Sequence, residues 1–146
     1  MLDLARRAPA RLAVLAVVAL ALLAACTPLN SQEHYVLEAT NQLRTANHMG
    51  PVYEYEPLTA RARTWAQTLA TQGRLAHSDL ATLSVGFSMA AENVGRSGTI
   101  EDAFNLLAAS PTHRANMLNA GYLLTGIGTA RGKDGSVYVV QLFIRS

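Results

Sequence analysis

Two histidines and a carboxylate stand out by their surroundings. His77 lies in Leu75-Ala76-His77-Ser78-Asp79-Leu80, Glu92 in Ala91-Glu92-Asn93-Val94-Gly95, and His113 in Ser110-Pro111-Thr112-His113-Arg114. Imidazole titrates near neutral pH and serves as ligand, acid or base, and a carboxylate beside it orients it or shares a metal ion. The intervals of 15 and 21 residues match no local metal motif. From spacing alone the plainer explanation is preferred, that each is a satisfied polar residue. His34 and His48 fall on the exposed side or end of the first predicted helix and read as solvated. No G-x-S-x-G elbow, P-loop, H-E-x-x-H or C-x-x-C occurs in the chain, which removes the common serine-hydrolase, nucleotide, zincin and dithiol signatures.

Cys26 is the only cysteine, and it closes a hydrophobic N-terminal segment. Arg6, Arg7 and Arg11 make the start positive, and an apolar run ends in Leu23-Ala24-Ala25-Cys26. That run, at about 14 residues, is too short to span a bilayer comfortably and has the layout of a secretory signal. Small residues directly before a cysteine resemble the lipobox of bacterial lipoproteins. The resemblance implies cleavage after residue 25, lipidation of Cys26 and acylation of the new N-terminus. Residues 26–31 then form the lipidated N-terminus and a short linker, and residues 32–146 the folded domain. An acylated Cys26 leaves no thiol for catalysis and none for a disulfide. Thr27 follows the cysteine, with no aspartate there to signal inner-membrane retention. The expected location is extracytoplasmic, on the cell membrane, and on the outer one in a cell that has two.

Removing residues 1–25 changes the charge balance. The chain has 12 basic and 10 acidic residues. The leader takes three arginines and Asp3, leaving nine of each. No basic excess remains to argue for nucleic acid, and membrane attachment would come from lipid alone. About 120 residues make one domain, which buries roughly 65% of its unfolded surface.

The elements that must position the three residues follow from periodicity and turn chemistry. A helix capped by Ser31 is expected to run to about Asn47, with Val36, Ala39, Thr40 and Leu43 on one face and Gly50-Pro51 ending it. Tyr53 to Glu56 reads as a polar connector. Pro57 suits the start of a second helix, whose stripe of Leu58, Ala62, Trp65, Ala66 and Leu69 ends at Gly73 and puts Trp65 in the core. The stretch from His77 to Gly98 is mixed, with Val85-Gly86-Phe87 and Ala90 to Val94 as loop or short strand. Thr99-Ile100-Glu101-Asp102 has the form of a capping box before a third helix, and Ser110-Pro111 starts a short fourth one. Tyr122 to Ala130 and Val137 to Ile144 form a hairpin around Asp134-Gly135. Helices followed by a hairpin point to an α+β fold.

Taken in order, these segments resemble the CAP superfamily of cysteine-rich secretory, antigen 5 and pathogenesis-related proteins, in its bacterial branch. The resemblance runs from Asn41-Gln42-Leu43-Arg44 through His77-Ser78, Glu92-Asn93-Val94-Gly95 and Ser110 to Leu118. It ends at Gly126-Ile127-Gly128 and Tyr138 to Phe143. It implies a three-layer α-β-α sandwich around a small antiparallel sheet. It also implies a cleft that gathers His77, Glu92 and His113, which either ligate Zn²⁺ with an open position or form a metal-free polar cluster. The resemblance also implies a second acid, often present in animal and plant members at the end of the helix before the second histidine; Ser110 stands near that place here, which weakens the metal option. Glu101 and Asp102 are expected in solvent. Asn93 and Gln141 are candidates to orient the cleft histidines, and Arg114 to line its mouth. Asn41 and Arg44 are expected to tie the first helix to neighbouring backbone. Gly126 and Gly128 would let a strand approach another element closely.

The function implied is a cell-envelope binding or structural module for a lipid, cell-wall or protein ligand. The alternative is a metal-assisted hydrolase, peptidase- or nuclease-like, using the same cleft. The resemblance does not decide whether the cleft is catalytic.

Overall fold

The computed structural model describes residues 27–82 and 87–145. The leader, Cys26 and residues 83–86 lie outside the described residues, and with them the signal, the lipidation site and the Val85-Gly86 reading.

Helix α1 (Ser31–Ala46) is capped by Asn30, one residue before the expected Ser31. The Asn30 side chain accepts the N–H groups of Gln32 and Glu33, and the Glu33 carboxylate accepts the N–H of Asn30 at 2.9 Å. This reciprocal box needs a carboxylate three residues after the cap. Counted from Asn30 that residue is Glu33; counted from Ser31 it is His34, which cannot make the return bond as an acceptor carboxylate does. The buried stripe is Glu33, Val36, Thr40 and Arg44, and Ala39 and Leu43 pack at its margin. His34 and His48 are exposed.

The strand β1 (Tyr53–Glu54) lies where a connector is expected. Helix α2 (Glu56–Gln72) has Pro57 in its first turn and stops at Gly73, whose φ of 69° is left-handed. Strand β2 (Met89–Ser97), helix α3 (Ile100–Ala109), helix α4 (Pro111–Met117), strand β3 (Leu124–Arg131) and strand β4 (Val137–Arg145) complete the fold. The Thr99 hydroxyl caps α3 by accepting the Asp102 N–H at 3.1 Å, and Glu101 and Asp102 are exposed.

The sheet has the order β1-β3-β4-β2. Strand β4 pairs antiparallel with both β2 and β3, and β1 adds a short parallel edge to β3. Side chains alternate along a strand, and β4 is buried on both faces. Val137, Val139 and Phe143 pack with α1, α3 and Met117 of α4, whereas Tyr138, Val140, Leu142 and Ile144 pack with α2. The result is the expected α-β-α sandwich, with α1, α3 and α4 on one side and α2 on the other.

Trp65 is half-buried at the margin of the α2 cluster and not at its centre. Its indole N–H donates to the Ala76 carbonyl at 3.0 Å. An indole carries a donor that must be satisfied when buried, so the ring stays at the rim and fastens the chain that leads to His77.

Helix α2 lies unusually close to β3. A Cβ on Gly126 would stand 2.2 Å from the Leu58 carbonyl carbon, and one on Gly128 would stand 2.2 Å from the backbone of Ala62 and Arg63. Backbone cannot step aside as a side-chain tip can. Gly128→Ala is therefore expected to cost about 3 kcal/mol, at the upper end for overpacking. Gly50 has nothing within 4 Å of its Cβ position, so Gly50→Ala should stay within about 0.5 kcal/mol of wild type. Urea unfolding of both variants checks this, and equal midpoints would refute the close approach.

Candidate functional site

The site is built on two successive residues of an edge strand. Among the described residues strand β2 pairs only with β4, with Glu92 opposite Leu142 and Asn93 opposite Gln141. Successive side chains leave a strand on opposite faces. Glu92 points to the side of α2, and Asn93 to the side of α4.

Glu92 is the centre of the first half. Its side chain is fully buried. Oε1 accepts the Ser78 backbone N–H at 2.8 Å and lies 2.8 Å from His77 Nδ1; Oε2 accepts the Ser78 hydroxyl at 2.6 Å. A buried carboxylate is tolerated when its oxygens are filled in this way. With Glu92 ionised, Nδ1 of His77 carries the proton and donates, a tautomer assigned from the hydrogen bond. Nε2 is then the free nitrogen, on a ring 64% exposed to solvent. Residues 77 and 78 reach Glu92 because Gly73 ends α2 and Trp65 holds Ala76.

Asn93 organises the second half. Its Nδ2 donates to the His113 carbonyl at 3.0 Å and to Gln141 Oε1 at 3.1 Å, and its Oδ1 accepts from Asn116 at 2.9 Å. Gln141 Nε2 donates to Thr40 Oγ1 at 2.9 Å, and Thr40 returns the bond to α1 at the Val36 carbonyl. Asn93 and Gln141 therefore hold the backbone of α4 at His113, and not its ring. The ring itself is set by Ser110, whose Oγ lies 2.9 Å from His113 Nδ1.

Glu92 holds the His77 ring on one face of β2 and Asn93 holds the backbone of His113 on the other, near enough for charge at one ring to act on the other. Burial, and then positive charge at His77, push the His113 pKa below the ordinary 6.5. His113 is thus held neutral where an exposed histidine begins to charge.

The set does not fit a catalytic zinc site, which takes three protein ligands and an open position. Among the described residues no group of three or more His, Cys, Asp or Glu is placed to hold a metal ion. Glu92 is committed to Ser78 and His77, and Asp79 turns away, accepting the Ala81 N–H at 2.9 Å. As arranged, Glu92 orients an imidazole whose ring is mostly exposed.

Arg114 follows His113 on α4 and is half-buried. Asn41 exchanges two hydrogen bonds with the backbone of Val52, and Arg44 donates to the carbonyls of Gly50, Met117, Asn119 and Tyr122. Both serve the backbone, as expected. Three site residues escaped the sequence reading: Ser78, Asn116 and Thr40. Ser78 adjoins His77, and Asn116 lies one helical turn from His113, so proximity was the available signal. Nothing in sequence pointed from Thr40 to Gln141, 101 residues away.

The depressed His113 pKa sets a pH dependence. The unfolded chain takes up its proton near 6.5 and the folded chain only below that. Unfolded protein therefore binds more protons in that window, so this contribution is complete above pH 6.5 and is lost as pH falls through the folded value. An NMR titration should place His113 below 6.5. His77→Ala should raise it without restoring 6.5, because burial remains the larger cause. A His113 that titrates identically in both proteins would show that the rings do not interact.

The sequence model of the cysteine-rich secretory protein family matches residues 37–143. No curated protein sequence matches significantly. Among solved structures, the fold is similar to that of an outer surface protein from Borrelia burgdorferi. That match has a TM-score of 0.71 at 15% identity and covers 82% of this chain and 96% of that one. It is also similar to an extracellular protein with an SCP domain from Bacillus anthracis, with a TM-score of 0.69 at 19% identity over 83% of this chain. A third is a cysteine-rich secretory protein from Staphylococcus aureus, with a TM-score of 0.63 at 20% identity over 82% of this chain. This chain spans 45% and 41% of the length of the latter two. The family match spans His77, Glu92, His113 and nearly all of the sheet, and on it the chain belongs to the cysteine-rich secretory protein, or CAP, family.

Proposed function

We propose that this protein is an exported, lipid-anchored CAP-domain protein of the cell envelope, and that its cleft is a binding site for a polar ligand group. The observation that carries this reading is the Glu92 arrangement. A fully buried carboxylate fixes His77 and leaves its Nε2 facing solvent, while His113 stays neutral beside it. A donor-acceptor pair of this kind recognises a hydroxyl, amide or carboxylate without needing a metal. The exported location is supported by the leader and lipobox pattern of residues 1–26 and by the outer-surface and extracellular descriptions of two structural relatives.

Two measurements test the reading. Mature protein extracted from membranes should exceed the peptide mass of residues 26–146 by a diacylglyceryl group, or by that group and an acyl chain. A soluble wild type of unmodified mass would overturn the anchor. Zinc titration should then show no difference between wild type and a His77→Ala/His113→Ala double variant. Tight zinc binding that the double variant loses would overturn the metal-free cleft. It would favour the hydrolase alternative, in which folded Glu92→Gln should lose turnover.

A further inference from the structure

A buried ion pair outside the cleft grips the chain directly behind Cys26. Glu33 is fully buried, and Arg63 of α2 meets it as a two-pronged fork, Nε to Oε1 at 2.9 Å and Nη2 to Oε2 at 2.6 Å. The remaining donors of the same guanidinium reach backward. Nη1 donates to the Thr27 hydroxyl at 2.7 Å and to its carbonyl at 3.2 Å, and Nη2 donates to the Pro28 carbonyl at 2.8 Å. Two residues on, Asn30 closes the capping box with Glu33 and donates from its side chain to Thr129 of β3 at 3.3 Å. The segment from Thr27 to Asn30, which would serve as a flexible linker in a tethered domain, is thus held on the domain surface at both ends.

A guanidinium suits this task and an ammonium does not. Its planar fork satisfies both carboxylate oxygens and still presents donors in fixed directions. A buried carboxylate needs that compensation. The pair therefore stays formed, and the residues after Cys26 stay with it.

We propose that the Glu33–Arg63 fork is an anchor latch, which fixes the exit point of the lipid-bearing terminus so that the domain rests against the bilayer surface with its cleft at a set reach. The partner surface is the lipid bilayer itself. The inference rests on the lipid anchor at Cys26 proposed above. Helix α2 is the ruler: from Arg63 to Gln72 it advances about 14 Å. Five residues of chain then lead to His77, which places the cleft within about 30 Å of the latch.

The test uses mature, lipidated protein in phosphatidylethanolamine/phosphatidylglycerol vesicles. With the Cys26 sulfur lipidated no other thiol exists, so Thr112→Cys on the exposed start of α4 takes a single donor dye. Time-resolved energy transfer to a lipid-headgroup acceptor then reads the distance distribution between cleft and bilayer. Wild type should give one narrow distribution. A protein with a Gly-Ser linker inserted between Cys26 and Thr27 sets the width of a freely swinging domain. Arg63→Lys keeps the charge on Glu33 and loses the reach to Thr27 and Pro28, so its distribution should broaden to that of the linker protein. Glu33→Gln/Arg63→Gln should do the same without leaving a buried charge unpaired, and circular dichroism checks that it folds. A wild type as broad as the linker protein, or folded latch variants as narrow as wild type, would overturn the latch while leaving the anchor standing. Wild-type protein that fails to partition into the vesicles would overturn both.

Discussion

The contact between α2 and β3 is the constraint on which the rest of the molecule depends. Two positions on β3 have no side chain, so helix backbone rests on strand backbone at Leu58 and again at Ala62–Arg63. That approach brings Leu58, Ala62, Ala66 and Leu69 down onto Tyr138, Val140, Leu142 and Ile144 and closes one side of the sandwich. It also fixes where α2 points. Arg63 is thereby set beside the chain that follows Cys26. At the other end, Gly73 and the Trp65–Ala76 bond turn the chain so that His77 and Ser78 meet Glu92. A shift of the helix along the sheet would disturb both ends together.

The opposite layer is held by polar contacts as much as by apolar ones. Gln141 sits in the middle of β4 among valines and aromatics, fully buried. Its partners are Thr40 on α1 and Asn93 on β2, and through Asn93 it reaches α4. A buried amide that lost one of these bonds would pay a desolvation penalty of about 1–3 kcal/mol. The network therefore favours one register of α1, β2, β4 and α4 over nearby alternatives. That register is what places His113 across the edge of β2 from His77.

Much of this was legible in the sequence where local chemistry decides. Pro57 and Gly73 bracket α2, Ser110-Pro111 opens α4, and Asp134-Gly135 turns the hairpin. Strand β2 was only half legible, as Ala90 to Val94 read equally as loop or short strand. Glu92, Asn93 and Gly95 break any apolar alternation, because this strand buries its polar residues for the site. The Asn30 cap was missed by one residue because both Asn30 and Ser31 are good caps, and the deciding partner, Glu33, also serves Arg63 thirty residues on. The three site residues were found by the order of motifs. Their geometry was not: that Glu92 would be filled by Ser78, and that Asn93 would hold a carbonyl and not a ring, are facts of tertiary placement.

Among the described residues three charged side chains are buried, and they are compensated in different ways. Arg44 is surrounded by backbone carbonyls. Glu33 is met by a guanidinium fork that stays charged at any physiological pH. Both are permanent arrangements, suited to holding elements together. Glu92 is different, because one of its partners is an exposed imidazole. An exposed partner adds little to stability, since solvent screens it. Ser78 alone, with its N–H and hydroxyl, already fills one lone pair on each oxygen. The His77 contact is then best understood in the other direction. The carboxylate is there to hold the ring, and a ring held by one nitrogen at an open edge is prepared to use the other.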